Sequence, residues 1–270
     1  MDLKVCIGCA LIGLAVSGSV AAPGTADRIQ GEKLPATVVD DVVVPVPGEV
    51  FLVLEKLSAP NWRALLRTGE PRAAGDRART ALLLGTVIAD GFIAVQAQDR
   101  EEVKRIGKTV LALSSAIGVR KSVVARSNSI IEAADAQAWP RVRSELDKAL
   151  QDVQAAMTEL HDEQLAQLVS LGGWLRGTEV LTTVVGSAFS ADGAELLHQP
   201  ALVDYFSGRI AGMDSRLKGN PLVSEIAGKL QEIRPLVAVE NGRRISREDV
   251  ERLRTISSDL LRSILAKSAA

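Results

Sequence analysis

The sequence predicts an all-α fold, a multi-helix up-and-down bundle of antiparallel helices preceded by an extended N-terminal arm. Three observations predict it. Beyond Pro47, apolar residues recur at steps of three and four over long stretches, which places them on one face of a helix. Strand signals are nearly absent over the same stretch. The breaks between periodic segments are short, so consecutive helices should lie side by side and run in opposite directions. No fixed-period self-similarity stands out, which leaves a solenoid as the secondary architecture.

Residues 1–21 read as a signal peptide. Lys4 gives a positive start, Val5 to Val16 form an apolar run, and Ser19-Val20-Ala21 is a small-x-small cleavage signal. That run falls short of the roughly 20 apolar residues that span a bilayer, and no transmembrane span is expected in the mature chain. Export to the periplasm or full secretion is the expected destination. Both cysteines, Cys6 and Cys9, belong to this leader. The mature chain is therefore cysteine-free, which removes disulfides and thiol nucleophiles and disfavours His/Cys zinc sites. Cys9 comes after Cys6-Ile7-Gly8, a poor lead-in for lipidation.

The formal net charge is -1, with basic residues spread along the chain, and aromatics make up 3%. A nucleic-acid binder concentrates positive charge on one face, and base or sugar recognition uses stacked aromatic rings. Neither feature is present, and no nucleic-acid partner is expected.

Residues 22–47 form the arm. Pro23, Pro35, Pro45 and Pro47 surround a largely β-branched run from Val38 to Val44, and proline removes backbone donors, so this is an extended tether or an edge strand. Residues 48–270 are read as a single helical domain. Glu49 to Leu57 and Asn61 to Arg67 are short helices, and a polar loop from Thr68 to Gly75 breaks the pattern. Thr80 to Gln98 is apolar nearly all round with Asp90 as its one charge, which marks a central helix.

Glu101 to Val119 shows a seam of Val103, Ile106, Val110, Leu113 and Ile117, and Arg120 to Gln137 continues it with Val123, Ser127, Ile130 and Ala134. Pro140 suits the first turn of the next helix. That helix, Arg141 to Leu160, carries Val142, Leu146, Leu150, Val153, Met157 and Leu160 on one stripe. Glu163 to Phe189 is a second strongly apolar helix containing Gly172, Gly173 and Gly177. Pro200 interrupts Asp192 to Gly212, Asn220-Pro221 reads as a cap and first position, and Pro235 ends or kinks the segment that Pro221 begins. Ser246 caps a last helix with Glu248 and Asp249 in its first turn and Val250, Leu253, Ile256, Leu260 and Ile264 facing inward.

One constellation carries chemistry. On a wheel of Glu163 to Phe189, at about 100° per residue, Gln164, Gln167, Ser170 and Thr182 form the polar arc. Arg176 and Glu179 fall among Leu165, Leu168, Val169 and Gly172 on the opposite side. An unpaired buried ion costs several kcal/mol, so the two must pair with each other, with another helix or with something bound. Either Arg176 holds a ligand carboxylate or phosphate while Glu179 orients it, or the two form an internal ion pair that fixes helix register. The three glycines each cost about 1 kcal/mol against alanine in a helix interior. Something should need their missing side chains, a close-packed backbone or a ligand.

Asp90 is the natural partner for Arg176 if its own arc is buried, and Trp174, at the border of the two arcs, either fills the core or lines the same space. Arg176, Glu179, Asp90 and Trp174 are therefore the candidate ligand-binding residues. No catalytic set, cofactor or metal site is expected, since His161 and His198 have no helical ligand spacing. Lys104, Arg105, Lys108, Arg120 and Lys121 form a modest basic cluster, read as a solvated face. The function expected is a non-catalytic, exported helical protein that binds a small anionic or amphipathic ligand or an envelope protein. The alternatives are an enzyme using Glu179 and Asp90 as acid and base, and a scaffold without a small ligand.

Overall fold

The structure, a computed structural model, describes residues 36–39, 42–45, 51, 54, 60–69, 71–73, 75–238 and 244–266. The predicted signal peptide and most of the arm lie outside these residues. Within the arm, Ala36–Val39 (β1) and Val42–Pro45 (β2) pair antiparallel, with Ala36 opposite Pro45 and Val39 opposite Val42. Everything else described is helical or connects helices, and the protein is an all-α bundle.

Phe51 and Leu54 are helical and buried. Beyond them comes a single 3-10 turn, Trp62–Leu65, capped by the Asn61 side chain, and Trp62 packs edge-on against Phe51 with ring centroids 5.7 Å apart. The periodicity beyond the loop then yields α1 (Arg77–Gln96), α2 (Arg100–Ala116), α3 (Arg120–Asp135), α4 (Trp139–Glu159) and α5 (Glu163–Ser187). The predicted seams of α2 and α3 are buried residue for residue. Burying such a stripe, at about 25 cal/mol per Å² of apolar surface, holds each amphipathic helix to its neighbours.

The connections between these helices repeat one device. Each of the first four helices ends in a Schellman turn, in which two successive amides bond back to carbonyls five and three residues earlier. The pairs are Asp99 to Ala94 with Gln98 to Val95, Val119 to Ser114 with Gly118 to Ser115, Ala138 to Ala133 with Gln137 to Ala134, and Asp162 to Met157 with His161 to Thr158. In every case the residue after the left-handed one is already the N-cap of the next helix. Links this tight force consecutive helices to fold back on one another. The ion pair Lys104 to Asp135 across α2 and α3 (2.5 Å) and that of Arg126 to Asp152 across α3 and α4 (2.7 Å) show the antiparallel sense.

Only one of the four left-handed positions is glycine. Gln98, Gln137 and His161 sit at φ 51°, 53° and 56°, and Gly118 at φ 89°. A side chain there costs about 1–2 kcal/mol through the clash of Cβ with the following carbonyl. All three side chains are exposed. Gln98→Gly, Gln137→Gly and His161→Gly should each stabilise the fold by about 0.5–1 kcal/mol after the greater freedom of unfolded glycine is subtracted. Thermal melts of the triple variant should shift upward by several degrees, and a downward shift would show that the turn conformation is not strained.

The last part of the chain wraps the outside. Short α6 (Ala191–Glu195) precedes α7 (Pro200–Ala211), short α8 (Ser215–Lys218) leads from it into α9 (Pro221–Val237), and α10 (Arg247–Leu265) comes last. Asn220 and Pro221 begin α9 as cap and first position, and Pro235 lies inside its last turn. Ser246 and Asp249 form a reciprocal capping box on α10. At its other end the Arg79 guanidinium donates to the carbonyls of Ser263, Ile264 and Ala266, which fastens the last turn of α10 to the start of α1.

Five passes bring α1 and α5 together as neighbours running in the same direction. Arg77 pairs with Asp162 (2.6 Å) at their starts, and Leu82 meets Gly172 further along. Their backbones touch. A Cβ on Gly172 would stand 2.0 Å from the Leu82 carbonyl oxygen, and one on Gly85 only 1.8 Å from that of Val169. Thr86 fits the same crossing by turning its hydroxyl to the Leu82 carbonyl (2.8 Å), with the Gly172 carbonyl also in reach. By length and apolar composition α1 would suffice to cross a membrane, and here 94% of its apolar window is covered by the bundle.

Three sequence expectations are corrected. The spacing puts Leu160 on the inward stripe of α4, yet it is 51% exposed, because the helix ends at Glu159 and the chain turns away. The wheel puts Thr182 on the polar arc of α5, yet it is fully buried under α10, with its hydroxyl satisfied by the carbonyls of Thr178 and Glu179. Gly177 needs no absent side chain, since nothing lies within 4 Å of where its Cβ would be.

Candidate functional site

The α1–α5 crossing decides where the charges go. Past the glycine contact, the next inward positions are Asp90 on α1 and Arg176 on α5. Arg176 is 3% exposed and Asp90 7%. The Arg176 Nε donates to Asp90 Oδ1 (2.7 Å), its Nη1 to Glu179 Oε2 (2.5 Å) and its Nη2 to the Leu65 carbonyl (2.5 Å). Glu179 also accepts from the Ser258 hydroxyl (3.1 Å) on α10. Burial works against the Arg176 charge, but the attraction of Asp90 and Glu179 and their hydrogen bonds outweigh it. Its pKa therefore lies above the ordinary arginine value.

A second guanidinium completes the cluster. The sequence puts Arg67 at the end of a short helix, but the 3-10 turn stops at Leu65 and frees it to turn inward. It holds Asp90 Oδ2 with both Nε (3.1 Å) and Nη2. Two carboxylates and two guanidiniums now balance, which is the condition for keeping four ionised groups out of water. The charge count was the available signal: Asp90 and Glu179 against Arg176 alone leave one negative charge too many. Nothing in periodicity pointed to Arg67 as the group that corrects it.

The same contacts lay the segment 62–69 across the bundle as a strap. Arg176 holds the Leu65 carbonyl, Arg67 reaches into the cluster, and Arg105 of α2 donates to the Gly69 carbonyl (2.6 Å) while its Nε bonds Glu102 (2.8 Å). Beside the strap lies a cleft of about 60 Å³. Its polar wall carries Arg67, Asp90, Arg105 and Thr109, and its apolar wall includes Val87 and Leu265. Arg176, Glu179 and Trp174 are not among the described residues that line it. The Arg67 Nη1 is buried, closed off from solvent, and has no hydrogen-bond partner. A buried guanidinium nitrogen without an acceptor costs about 1–3 kcal/mol or more.

Of the four residues singled out from the sequence, the structure joins Asp90, Arg176 and Glu179 and separates Trp174. Two positions along a helix turn a side chain by about 200°. Trp174 accordingly faces α7, where its Nε1 donates to Gln199 Oε1 (3.1 Å) and its ring lies tilted against Phe206 with centroids 5.4 Å apart. A further ion cluster, Arg126 with Glu145 and Asp152, joins α3 to α4 nearer the surface. There the hydrogen bonds of Lys148 and Arg126 hold the Glu145 carboxyl below the usual range against its desolvation. Among the described residues no group of three or more His, Cys, Asp or Glu is arranged to hold a metal.

No protein-family model, curated protein or solved structure matches this chain.

Proposed function

We propose that this chain is an exported, non-catalytic helical protein that binds a small anionic or amphipathic ligand, and that the ligand enters the cleft beside Arg67. The observation carrying this reading is that cleft, in which a polar wall of Arg67, Asp90, Arg105 and Thr109 stands beside an apolar wall that includes Val87 and Leu265. Each Arg176 nitrogen already donates to a protein acceptor, so a ligand there would have to displace a carboxylate. Export rests on the leader in residues 1–21. Acid–base chemistry at Asp90 has less support, because each of its oxygens is already engaged by a guanidinium. Docking through a broad apolar face has less support, because among the described residues only Val124 and Leu160 are exposed large hydrophobics.

A ligand-observed NMR screen of small anionic, neutral and cationic compounds tests the binding reading. Hits are expected to disappear in Arg67→Gln and to persist in Trp174→Phe. A screen without hits, or hits indifferent to Arg67, would overturn it.

A further inference from the structure

The ribbon of β1 and β2 presents one open edge, and a single proline decides which. Pro45 has no amide hydrogen, so the facing pair Ala36–Pro45 cannot be one that exchanges two hydrogen bonds. Bonded and non-bonded pairs alternate along an antiparallel ladder, which makes Thr37–Val44 and Val39–Val42 the bonded ones. Ala36 and Val38 therefore turn their amides and carbonyls outward on β1. On β2 Val43 does the same, while Pro45 offers only its carbonyl, and β2 lies against α7. The outer edge of β1 keeps every donor and acceptor, and among the described residues no third strand meets it. We infer that this edge pairs with the same edge of a second copy of the chain, making a four-stranded antiparallel sheet across a twofold axis.

Main-chain geometry makes the edge its own complement. With Thr37 facing its counterpart in an antiparallel copy, the amide and carbonyl of Ala36 meet those of Val38 across the axis, and every outward group is satisfied. A twofold dimer needs such a self-matching patch. Strand formation also favours a copy over a peptide. The edge is only four residues long, and a peptide would lose backbone freedom at each residue fixed on it. A second copy brings its strand already formed, which lowers that cost. The ribbon gains as well, because two strands alone are marginal in water and three or more hold.

Charge and closure set the geometry of the pair. Asp40 and Asp41 link the two strands. Antiparallel copies carry these acids to opposite ends of the sheet, whereas parallel copies would bring like charges together. Once the β1 edges have met, both outer edges belong to β2, where Pro45 lacks a donor and α7 stands beside the strand. The sheet therefore closes at the dimer instead of extending into a filament.

Sedimentation velocity of the full chain at rising concentration reads the pairing. An interface this small should give a monomer–dimer exchange with a Kd of about 10 µM or weaker. Val38→Pro removes the outward amide without breaking a hydrogen bond inside the ribbon. It should weaken dimerisation about tenfold or more, since each copy loses a donor and strands the acceptor facing it. Val43→Pro makes the same change at the facing position, on the other edge, and should leave dimerisation unchanged.

Cross-linking gives a second readout, independent of both prolines. With Cys6 and Cys9 replaced by alanine, Thr37→Cys should form an interchain disulfide on mild oxidation, because its Cα lies about 4.5 Å from its counterpart. Val39→Cys, about 13 Å from its own counterpart at about 3.3 Å per residue, should not. A chain that stays monomeric would overturn the inference and leave the edge to a strand of another protein. A dimer indifferent to Val38→Pro, equal weakening by Val43→Pro, or cross-linking of Val39→Cys in place of Thr37→Cys would also overturn it. Growth beyond the dimer would do so by showing that both edges are open.

Discussion

Gly172→Ala is expected to lower the melting temperature by about 6–12 °C, or to prevent folding. The added methyl would lie 2.0 Å from the Leu82 carbonyl oxygen and 3.0 Å from its Cα. Those are backbone atoms of a buried helix, unable to rotate aside, so α1 and α5 must separate and every contact along their crossing loosens. Overpacking a core costs typically 1–3 kcal/mol and occasionally more. A backbone obstacle puts this case at about 3 kcal/mol or above, even after alanine's better helix propensity of about 1 kcal/mol is credited. For a domain of this size each kcal/mol moves the melt by about 2–4 °C.

Gly177→Ala supplies the control on the same helix. Nothing lies within 4 Å of its Cβ position, so helix propensity acts alone and the variant should gain up to about 1 kcal/mol. Paired thermal melts decide the matter. If the two substitutions have similar effects, the close crossing is not what the glycines are for.

Arg176→Met is expected to cost about 3–5 kcal/mol, because truncating one member of a buried ion cluster strands the others. Asp90 would keep Arg67, but Glu179 would retain only the Ser258 hydroxyl. Removing the stranded carboxylate as well should recover most of the loss, since Arg176→Met with Glu179→Leu leaves a balanced Arg67–Asp90 pair. Denaturant titrations of the two singles and the double variant give the coupling directly. Salt should change it little, because buried charges are poorly screened. Additive losses would mean that Arg176 and Glu179 do not act as a pair.

Much of the bundle was legible from residue spacing. The seam of α2, from Val103 to Ile117, and that of α10, from Val250 to Ile264, are buried as spaced. Helix starts at Asn220-Pro221 and Ser246 were readable because cap and first-turn residues act within a few positions of themselves. The repeated Schellman turns were not, because three of their four left-handed residues are Gln98, Gln137 and His161 instead of the glycine that marks such a site. Thr182 misled for a different reason: a threonine bonded to its own helix is as compatible with the core as with water.

The site divides in the same way. That Arg176 and Glu179 leave water could be read from their position among apolar residues on one helix, whereas Asp90 was a partner only on the condition that its own arc is buried, which its helix alone does not decide. Arg67 had to come from outside both helices, and Trp174, though only two residues from Arg176, faces another neighbour.

By itself the sequence determined the helical class, the order of the helices and the two charges of α5 that had to be buried, because each depends on interactions spanning a turn or two of chain. Which backbone packs on Gly172, which cation completes the charge balance and where a donor is left without an acceptor were decided only by the tertiary structure. Those outcomes depend on how helices far apart in the chain cross, and periodicity along one helix says which face is inward without saying what it meets.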